Sequence, residues 1–143
     1  MTKVLYTAEA RVDGGRDGRA RTSDGALDLE LRRPEQLSKG PGTNPEQLFA
    51  VGYAACFASA VARVARQSGA KIDGVVIDAT VALLLNDDDT YQLRVGLDVE
   101  LQGVSSPAEA VELVRGAHQI CPYSHAVRGN IDVAITANGA ALA

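Results

Sequence analysis

The chain contains two cysteines, Cys56 and Cys121, and their thiols are the side chains best suited to redox chemistry. Cys56 follows a stretch of small and apolar residues, whereas Cys121 opens a compact block that reads Cys-Pro-Tyr-Ser-His-Ala-Val-Arg-Gly-Asn. Two thiols are the minimum for a cycle through a sulfenic acid and a disulfide. A single cysteine on a helix is more often a small buried apolar residue, so both interpretations stay open at this point.

A reactive Cys56 requires a positive charge from another part of the chain. Cys56 lies eleven residues past the predicted helix start at Pro45, and the helix dipole fades within about the first turn. Burial alone would raise the pKa of the thiol and leave it inert. An arginine on the turn Gly-Gly-Arg-Asp-Gly-Arg is suitable, because guanidinium stays charged and presents several directed donors. Arg16 is the first candidate and Arg19 the second.

Glu46 is the candidate anion that would hold this arginine. Glu46 and Cys56 are ten residues apart, hence about 15 Å along a continuous helix. One Glu46 therefore does not easily reach the Cys56 of its own chain. Two such helices packed antiparallel across a twofold axis would bring Glu46 of one chain near Cys56 of the other. We therefore predict a homodimer whose active sites are shared between subunits.

Composition excludes several classes of function. The net charge is −4 and the basic residues are scattered, which argues against nucleic acid or an anionic membrane as a partner. Hydrophobic residues make up 46% of the 143 residues without a low-complexity tract, so we expect one domain, residues 1–143, with a real core. No apolar run approaches the roughly 18 residues of a membrane span.

Targeting signals and cysteine usage predict where the protein resides. The N-terminal stretch becomes polar by Glu9, which leaves no room for the apolar region of a signal peptide. We therefore expect a soluble cytoplasmic protein. Cysteines in a reducing compartment are more often free, catalytic or redox-active than structural.

The first half of the chain is read as a meander followed by a long helix. A moderate strand signal over residues 3–12 and strict alternation over Leu27–Leu31 indicate antiparallel strands within residues 1–33. A loop over residues 34–43, with one helical turn, leads to a helix capped by Asn44, with Gln47 completing a capping box. The helix should run to about Ser68 and be buried on several sides, because it is apolar nearly all round.

The second half predicts a hairpin, a helix and a closing strand. Ile72–Leu85 and Tyr91–Gln102 are rich in β-branched residues and are joined by a short acidic turn, which is typical of a hairpin. A helix should begin at Pro107 and end before Pro122. The alternation over Ile131–Ile135 then closes the sheet, and the whole order indicates an α+β domain.

Three blocks, in order across nearly the whole chain, together resemble the organic hydroperoxide resistance (Ohr) proteins of the superfamily named after osmotically inducible protein C (OsmC). They are Gly-Gly-Arg-Asp-Gly-Arg from residue 14, Asn-Pro-Glu-Gln-Leu-Phe-Ala through Ala-Cys-Phe between residues 44 and 57, and Cys-Pro-Tyr-Ser through Arg-Gly-Asn between residues 121 and 130. The resemblance implies an intertwined α+β homodimer in which antiparallel sheets wrap around long central helices.

The resemblance also implies an activity, a thiol peroxidase that reduces organic hydroperoxides to alcohols. It assigns Cys56 as the peroxidatic thiol, Cys121 as the resolving thiol, and Arg16 with Glu46 as the activating ion pair. It further implies re-reduction by a lipoylated protein or dihydrolipoamide, with no bound cofactor or metal. Family members often read Tyr-Ser-Asn-Ala-Thr-Arg-Gly, whereas residues 123–129 of this chain read Tyr-Ser-His-Ala-Val-Arg-Gly. The segment His125, Ala126 and Val127 therefore alters the rim near Cys121.

Phe49, Tyr53 and Phe57 are the candidate substrate-binding residues, because an apolar environment near Cys56 would favour fatty-acid or aryl peroxides over hydrogen peroxide. The same aromatic residues fit equally well in a protein core.

Three alternatives remain open from the residues. His118, Cys121 and His125 have the spacing of metal ligands, although Pro122 interrupts them and no fourth ligand lies nearby in the sequence. A non-enzymatic module that binds an apolar ligand would use both cysteines only for packing. The osmotically inducible subgroup shares the peroxidase chemistry with a broader range of peroxides, but the glycine-rich turn and the Cys-Pro-Tyr-Ser block favour the organic hydroperoxide branch.

Overall fold

The computed structural model describes residues 1–142 and has the predicted α+β fold. The backbone divides into two compact units, Met1–Leu48 and the rest of the chain from Phe49. The division falls in the first turn of helix α1, Pro45–Ser68, and not in a linker between separate elements. The two units are described in turn.

The first unit is an antiparallel meander, as the sequence predicts. Strands β1 (Ala10–Asp13), β2 (Arg19–Thr22) and β3 (Asp28–Glu30) pair in the order β1-β2-β3. The strand expected over residues 3–12 begins only at Ala10, which is paired with Thr22. Because β2 ends at Thr22, the residues before Ala10 have no strand of this sheet opposite them.

Residues 31–43 attach the start of helix α1 to β3. A 3₁₀ helix over Pro34–Lys39 replaces the single helical turn that the sequence predicts. Thr43 then returns to the sheet, where its N–H donates to the Glu30 carbonyl and its own carbonyl accepts from the Arg32 N–H. These bonds place Asn44 and the first turn of α1 beside the end of β3.

Helix α1 begins and ends where its capping residues predict. Asn44 Oδ1 accepts a hydrogen bond of 2.9 Å from the Gln47 N–H, and Gly69 follows Ser68 with a φ of 75°. The reciprocal half of the predicted capping box is wrong, because the Gln47 side chain accepts from Thr43 Oγ1 at 2.9 Å instead. The loop residue Thr43 lies close enough to compete for it.

Burial of α1 differs from the expectation in a single chain. Its buried residues lie along one stripe: Tyr53, Phe57, Ala60, Val61 and Ala65. Val51, on another face, is 69% exposed. The helix is therefore buried on one side only, although its composition is apolar nearly all round.

The expectation that no segment is apolar enough to span a membrane was also wrong by length and composition. Within residues 1–142, Pro45–Ser68 meets both criteria, with a mean hydropathy of 1.7 and 28% of that window buried. A core helix meets the same criteria, so this finding is weak support for a membrane span.

The second unit contains a four-stranded sheet in the order β4-β5-β6-β7. Strands β4 (Gly74–Leu85) and β5 (Tyr91–Gln102) form the predicted hairpin. Strand β6 (Val133–Ala137) starts two residues later than predicted and runs parallel to β5. A short strand β7 (Ala140–Ala141), which the sequence analysis missed, pairs with β6.

The parallel pairing of β5 and β6 requires a long crossover, and two helices supply it. Helix α2, Pro107–Ile120, begins after Ser106, whose side chain accepts from the Glu109 N–H, and it ends before Pro122 as predicted. Helix α3, Pro122–Val127, follows at once and was not predicted. Buried residues of α1, β5 and α2 form one apolar core, which includes Phe57, Val99 and Val114.

The N-cap of α1 makes a measurable contribution to stability. We expect Asn44→Ala to lower the free energy of unfolding by about 1 kcal/mol, because the Gln47 N–H loses its partner. The measurement is the urea midpoint at constant m-value. Asn44→Asp retains an acceptor and should unfold close to the wild-type midpoint; equal losses in both variants would contradict a capping role.

Candidate functional site

Arg16 and Glu46 form a two-pronged ion pair in the first unit. Arg16 Nη1 donates to Glu46 Oε2 at 2.8 Å, and Nη2 donates to Oε1 at 2.7 Å. The side chains are 37% and 17% exposed, respectively. The structure thus brings together the arginine and the carboxylate that the sequence singled out.

The glycine-rich turn holds Arg16 in place through backbone contacts. Gly18 accepts a hydrogen bond from the Leu31 N–H, and a Cβ at Gly18 would lie 1.6 Å from the Asp13 carbonyl oxygen, so no other residue fits. Asp17 binds the Arg33 guanidinium at 2.9 Å. The turn is therefore fixed to the end of β3, which also carries the start of α1.

Arg19, the second candidate, does not pair with Glu46 but with carboxylates of the neighbouring strand. Its side chain is 53% exposed and forms ion pairs with Asp28 and Glu30 on the neighbouring strand. Arg16 is therefore the arginine that pairs with Glu46.

Glu46 is held in its ionised form. The hydrogen bonds from Arg16 lower the pKa of the Glu46 carboxyl, against the opposing effect of its partial burial. The stabilisation from this pair is present above the ordinary glutamate pKa and is lost as pH falls through the lowered value. The ion pair is therefore fully formed at neutral pH.

Cys56 and Cys121 lie together in the second unit as free thiols. Their side chains are close enough to share a hydrogen bond. Cys121 is fully buried between α2 and α3, where its N–H donates to Ala117 and its carbonyl accepts from His125. Pro122 ends α2 because it has no N–H to donate, and the chain turns at Cys121 to meet α1.

The environment of Cys56 favours the neutral thiol. Burial raises the pKa of Cys56, and the neighbouring Cys121 raises it further, whereas a hydrogen bond from the backbone N–H of Tyr123 lowers it. The segment Cys121–Tyr123 therefore supplies both the second thiol and one donor to the first. Neither group carries a positive charge.

Gly52 permits the approach of this segment. A Cβ at Gly52 would lie 2.5 Å from the Tyr123 hydroxyl oxygen and 3.1 Å from Cζ. Gly52 is one turn before Cys56 on α1, so the missing side chain lets the Tyr123 ring cross the helix next to the thiol. The small residues around Cys56 thus make room for a neighbouring segment of the same unit.

The three aromatic residues proposed for substrate binding differ in exposure. Tyr53 and Phe57 have no exposed surface and belong to the apolar core, the second of the two places that the sequence allows for them, so their part in substrate binding stays a prediction. Phe49 is partly exposed and packs edge-on against Tyr53 and Tyr123, with ring centroids 6.2 and 5.8 Å away. Of the three, Phe49 alone has exposed surface.

A buried polar chain beside the thiols was missed by sequence reasoning. The Tyr53 hydroxyl lies 2.7 Å from Ser124 Oγ, which lies 2.8 Å from His118 Nδ1. Burial, and then the charge of Arg128, lower the pKa of His118. The residues were visible as polar positions inside apolar blocks, but their contact depends on how α1, α2 and α3 pack.

The described residues 1–142 contain no group of three or more His, Cys, Asp or Glu side chains that could hold a metal ion. His118 Nδ1 already faces Ser124. The alternative of a site formed by His118, Cys121 and His125 therefore has no support from the geometry.

Comparison with known proteins gives concordant results. The family model "OsmC-like protein" matches residues 38–136. An organic hydroperoxide resistance protein of Xanthomonas axonopodis pv. citri is 50% identical over 137 residues, covering 94% of this chain and 95% of the relative. The organic hydroperoxide resistance protein OhrA of Bacillus subtilis is 45% identical, covering 94% and 97%.

Two solved structures are also similar to this chain. The crystal structure of OhrB of Bacillus subtilis has a TM-score of 0.87 and 41% identity, covering 92% of this chain and 98% of that one. A structure of an organic hydroperoxide resistance protein from Vibrio cholerae has a TM-score of 0.91 and 42% identity, covering 98% and 96%.

The gap at Gly52 can be tested directly. We expect Gly52→Ala to displace Tyr123, weaken its N–H bond to Cys56 and slow alkylation of Cys56 at neutral pH by about threefold to tenfold, because less thiolate is present. The measurement is the rate of haloacetamide labelling at Cys56. Adding Tyr123→Phe removes the clashing oxygen and should restore most of the rate; a rate unchanged by Gly52→Ala would contradict this role.

Proposed function

The chain belongs to the OsmC-like family and, within it, to the organic hydroperoxide resistance proteins, and from its site we propose that it is a thiol peroxidase that reduces organic hydroperoxides. The activity serves defence against oxidative stress. The observation that carries the proposal is the pair of free thiols, Cys56 and Cys121, held within hydrogen-bond reach of one another. A core that needed only small apolar residues would have no reason to place two thiols in contact.

The proposed cycle has three steps that balance. The Cys56 thiolate attacks the outer oxygen of the hydroperoxide; the O–O bond breaks, Cys56 becomes a sulfenic acid, and the alkoxide takes a proton and leaves as an alcohol. Cys121 then attacks the sulfenic sulfur, so that an S–S bond forms and water leaves. A dithiol reduces the disulfide by exchange through a mixed disulfide.

The Arg16–Glu46 ion pair is proposed to activate Cys56. Burial raises the pKa of this thiol, and a nearby guanidinium favours the thiolate and stabilises charge on the departing oxygen. Two hydrogen bonds from Arg16 to Glu46 fix the direction of the guanidinium. An arginine held in this way loses less rotational freedom on binding substrate than a solvated one.

We further propose that two copies of the chain form the working enzyme. Helix α1 is apolar nearly all round but has its buried residues along one stripe, and Val51 is 69% exposed. A second copy of α1 would cover this surface. If the two helices are antiparallel, the ion pair that contains Glu46 of one copy would activate Cys56 of the other.

We propose that the organic group of the substrate binds in the cavity beside Phe49. This cavity measures about 400 Å³. Phe49, Tyr91, Leu93, Val127 and Ile131 supply its apolar walls, and Asn86, Gln92 and Asn130 supply polar groups. An acyl chain or aryl group would gain from burial there, whereas hydrogen peroxide would not. We propose alkyl and fatty-acid hydroperoxides as substrates and a lipoylated protein or dihydrolipoamide as the reductant.

Single cysteine variants test the cycle. We expect Cys56→Ser to lose lipoamide-dependent turnover of an alkyl hydroperoxide entirely, because no sulfenic acid forms. Cys121→Ser should still consume one equivalent of peroxide and stop at a sulfenic acid that dimedone traps. Turnover is followed with lipoamide and, separately, with thioredoxin; a faster thioredoxin reaction would contradict the proposed reductant.

The binding-module alternative gives a different result in the same assay. After one equivalent of alkyl hydroperoxide, a packing role predicts two titratable thiols in the wild-type chain, whereas the enzyme loses both. Retained turnover in Cys56→Ser would sink the proposed function.

Mixed dimers test whether the sites are shared. Neither Cys56→Ser nor Glu46→Gln is expected to turn over peroxide efficiently alone. In a mixed dimer, the intact Cys56 of one chain would meet the intact Glu46 of the other, so refolding the two variants together should restore about one quarter of wild-type turnover: half of the dimers are mixed, and each has one working site. Activity no higher than that of the separate variants would place Glu46 and Cys56 of each site in the same chain.

A further inference from the structure

A chain of hydrogen bonds runs through the second unit from the core to a partly exposed histidine. Tyr53 Oη and Ser124 Oγ are 2.7 Å apart, and Ser124 Oγ and His118 Nδ1 are 2.8 Å apart. Tyr53 and Ser124 have no exposed surface, while His118 is only partly buried. The chain therefore joins a buried phenol to a residue that solvent can reach.

Packing alone does not explain these three polar side chains. Burying a hydroxyl group costs free energy unless it is hydrogen-bonded, and phenylalanine and alanine would fill the same places in an apolar core. Ser124 has one proton and two partners. The chain is therefore directional: either Tyr53 donates toward His118 through Ser124, or His118 donates toward Tyr53.

The buried end of the hydrogen-bonded chain lies on the same helix faces as the thiols, because Tyr53 is three residues before Cys56 on α1 and Ser124 is three residues after Cys121. Charge on Cys121 and on Cys56 would each act on the Tyr53 hydroxyl, whose pKa burial already raises. Ser124 and Cys121 are both in the first turn of α3 or at its cap, and His118 is one turn before Cys121 on α2. In one donor direction the Tyr53 O–H donates to Ser124; in the other Ser124 donates to Tyr53, and the Tyr53 O–H is then available to another acceptor.

We propose that Tyr53, Ser124 and His118 form a proton relay for the resolving step, with His118 as the terminal base. This inference rests on the peroxidase function proposed above. The Cys121 thiol gives its proton to Tyr53 as Tyr53 donates to Ser124 and Ser124 donates to His118 Nδ1. The Cys121 thiolate then forms the S–S bond to Cys56, and the S–O bond breaks.

The proton that the relay takes from Cys121 is returned to the leaving hydroxide in the same step. Hydroxide leaves the Cys56 sulfur and takes a proton from Tyr53 as the three donors reverse, so that water is released and His118 is neutral again. Cys121 is oxidised and the sulfenic sulfur of Cys56 is reduced, so no outside oxidant or reductant enters this step. His118, which acts through Ser124 and Tyr53, is a positioning residue in this scheme.

The surroundings of His118 suit a base at neutral pH. Arg128 donates from Nη2 to the His118 carbonyl oxygen, and its charge disfavours the protonated ring. Asp132 is the acidic residue among those that line the cavity of about 440 Å³ next to His118, and Phe57 packs at a ring distance of 6.4 Å. With its pKa lowered, His118 is neutral at pH 7 and its Nδ1 can accept.

The two histidines of the sequence give a matched pair of variants. His118→Gln removes the base, whereas His125→Gln makes the same change at the other histidine, which is exposed on α3. One equivalent of alkyl hydroperoxide is added to reduced protein, and rapid quenching with mass spectrometry follows the sulfenic acid and then the disulfide. We expect formation of the sulfenic acid to be unchanged and formation of the disulfide to slow about a hundredfold in His118→Gln.

The pH profile separates a relay from a purely structural network. In the wild-type protein and in His125→Gln, the rate of disulfide formation should fall as pH drops through the pKa of His118, and remain level above it. In His118→Gln that acid limb should vanish, and the rate should rise about tenfold per pH unit until the attacking thiol ionises. A network that only supports the fold would lower the rate without changing this profile.

Tyrosine variants provide a second test if His118→Gln fails to fold. Tyr53→Phe keeps the buried ring but interrupts the relay, so it should slow disulfide formation by a similar factor; Tyr91→Phe, at an exposed position on β5, is the control. Wild-type rates and an intact acid limb in His118→Gln or Tyr53→Phe overturn the relay alone. A wild-type protein that forms neither sulfenic acid nor disulfide overturns the proposed function and the relay with it.

Discussion

The Cys56 thiol lies in apolar surroundings, and burial is the largest influence on its pKa, which it raises. The peroxidatic role proposed for Cys56 requires a thiolate, so this burial works against that role. The Tyr123 N–H offsets part of the effect, and Cys121 adds to it. The remaining stabilisation requires a positive charge, which is the role proposed for Arg16.

Each supporting element is fixed by contacts within its own unit. Backbone bonds from Leu31 and Thr43 hold the glycine-rich turn and the start of α1 against β3, which brings Arg16 to Glu46. In the second unit, Pro122 ends α2 and turns the chain so that Tyr123 can cross Gly52. Two separate arrangements, one in each unit, therefore position the ion pair and the thiol pair.

The sequence predicts features that depend on local chemistry and misses those that depend on packing. The ends of α1 are marked by Asn44 and Gly69, because a cap involves only residues of the adjacent turn. The bonds between Tyr53, Ser124 and His118 join three helices, and no spacing along the chain encodes them. Burial of α1 was misjudged for the same reason: an apolar face shows that something covers it, not whether the cover belongs to the same chain.

The parallel pairing of β5 with β6 has a consequence for biosynthesis. Cys56 lies on a helix, which forms through local contacts, whereas Cys121 reaches its place only when the crossover through α2 and α3 has packed on the sheet. Non-local pairing of this kind is the slow part of folding. In a newly made chain, the two thiols are therefore still apart. They come into contact only when α2 and α3 have packed on the sheet. Peroxide stress during synthesis would act on chains that cannot yet resolve a sulfenic acid, so the supply of working protein would depend on chains completed before the stress began.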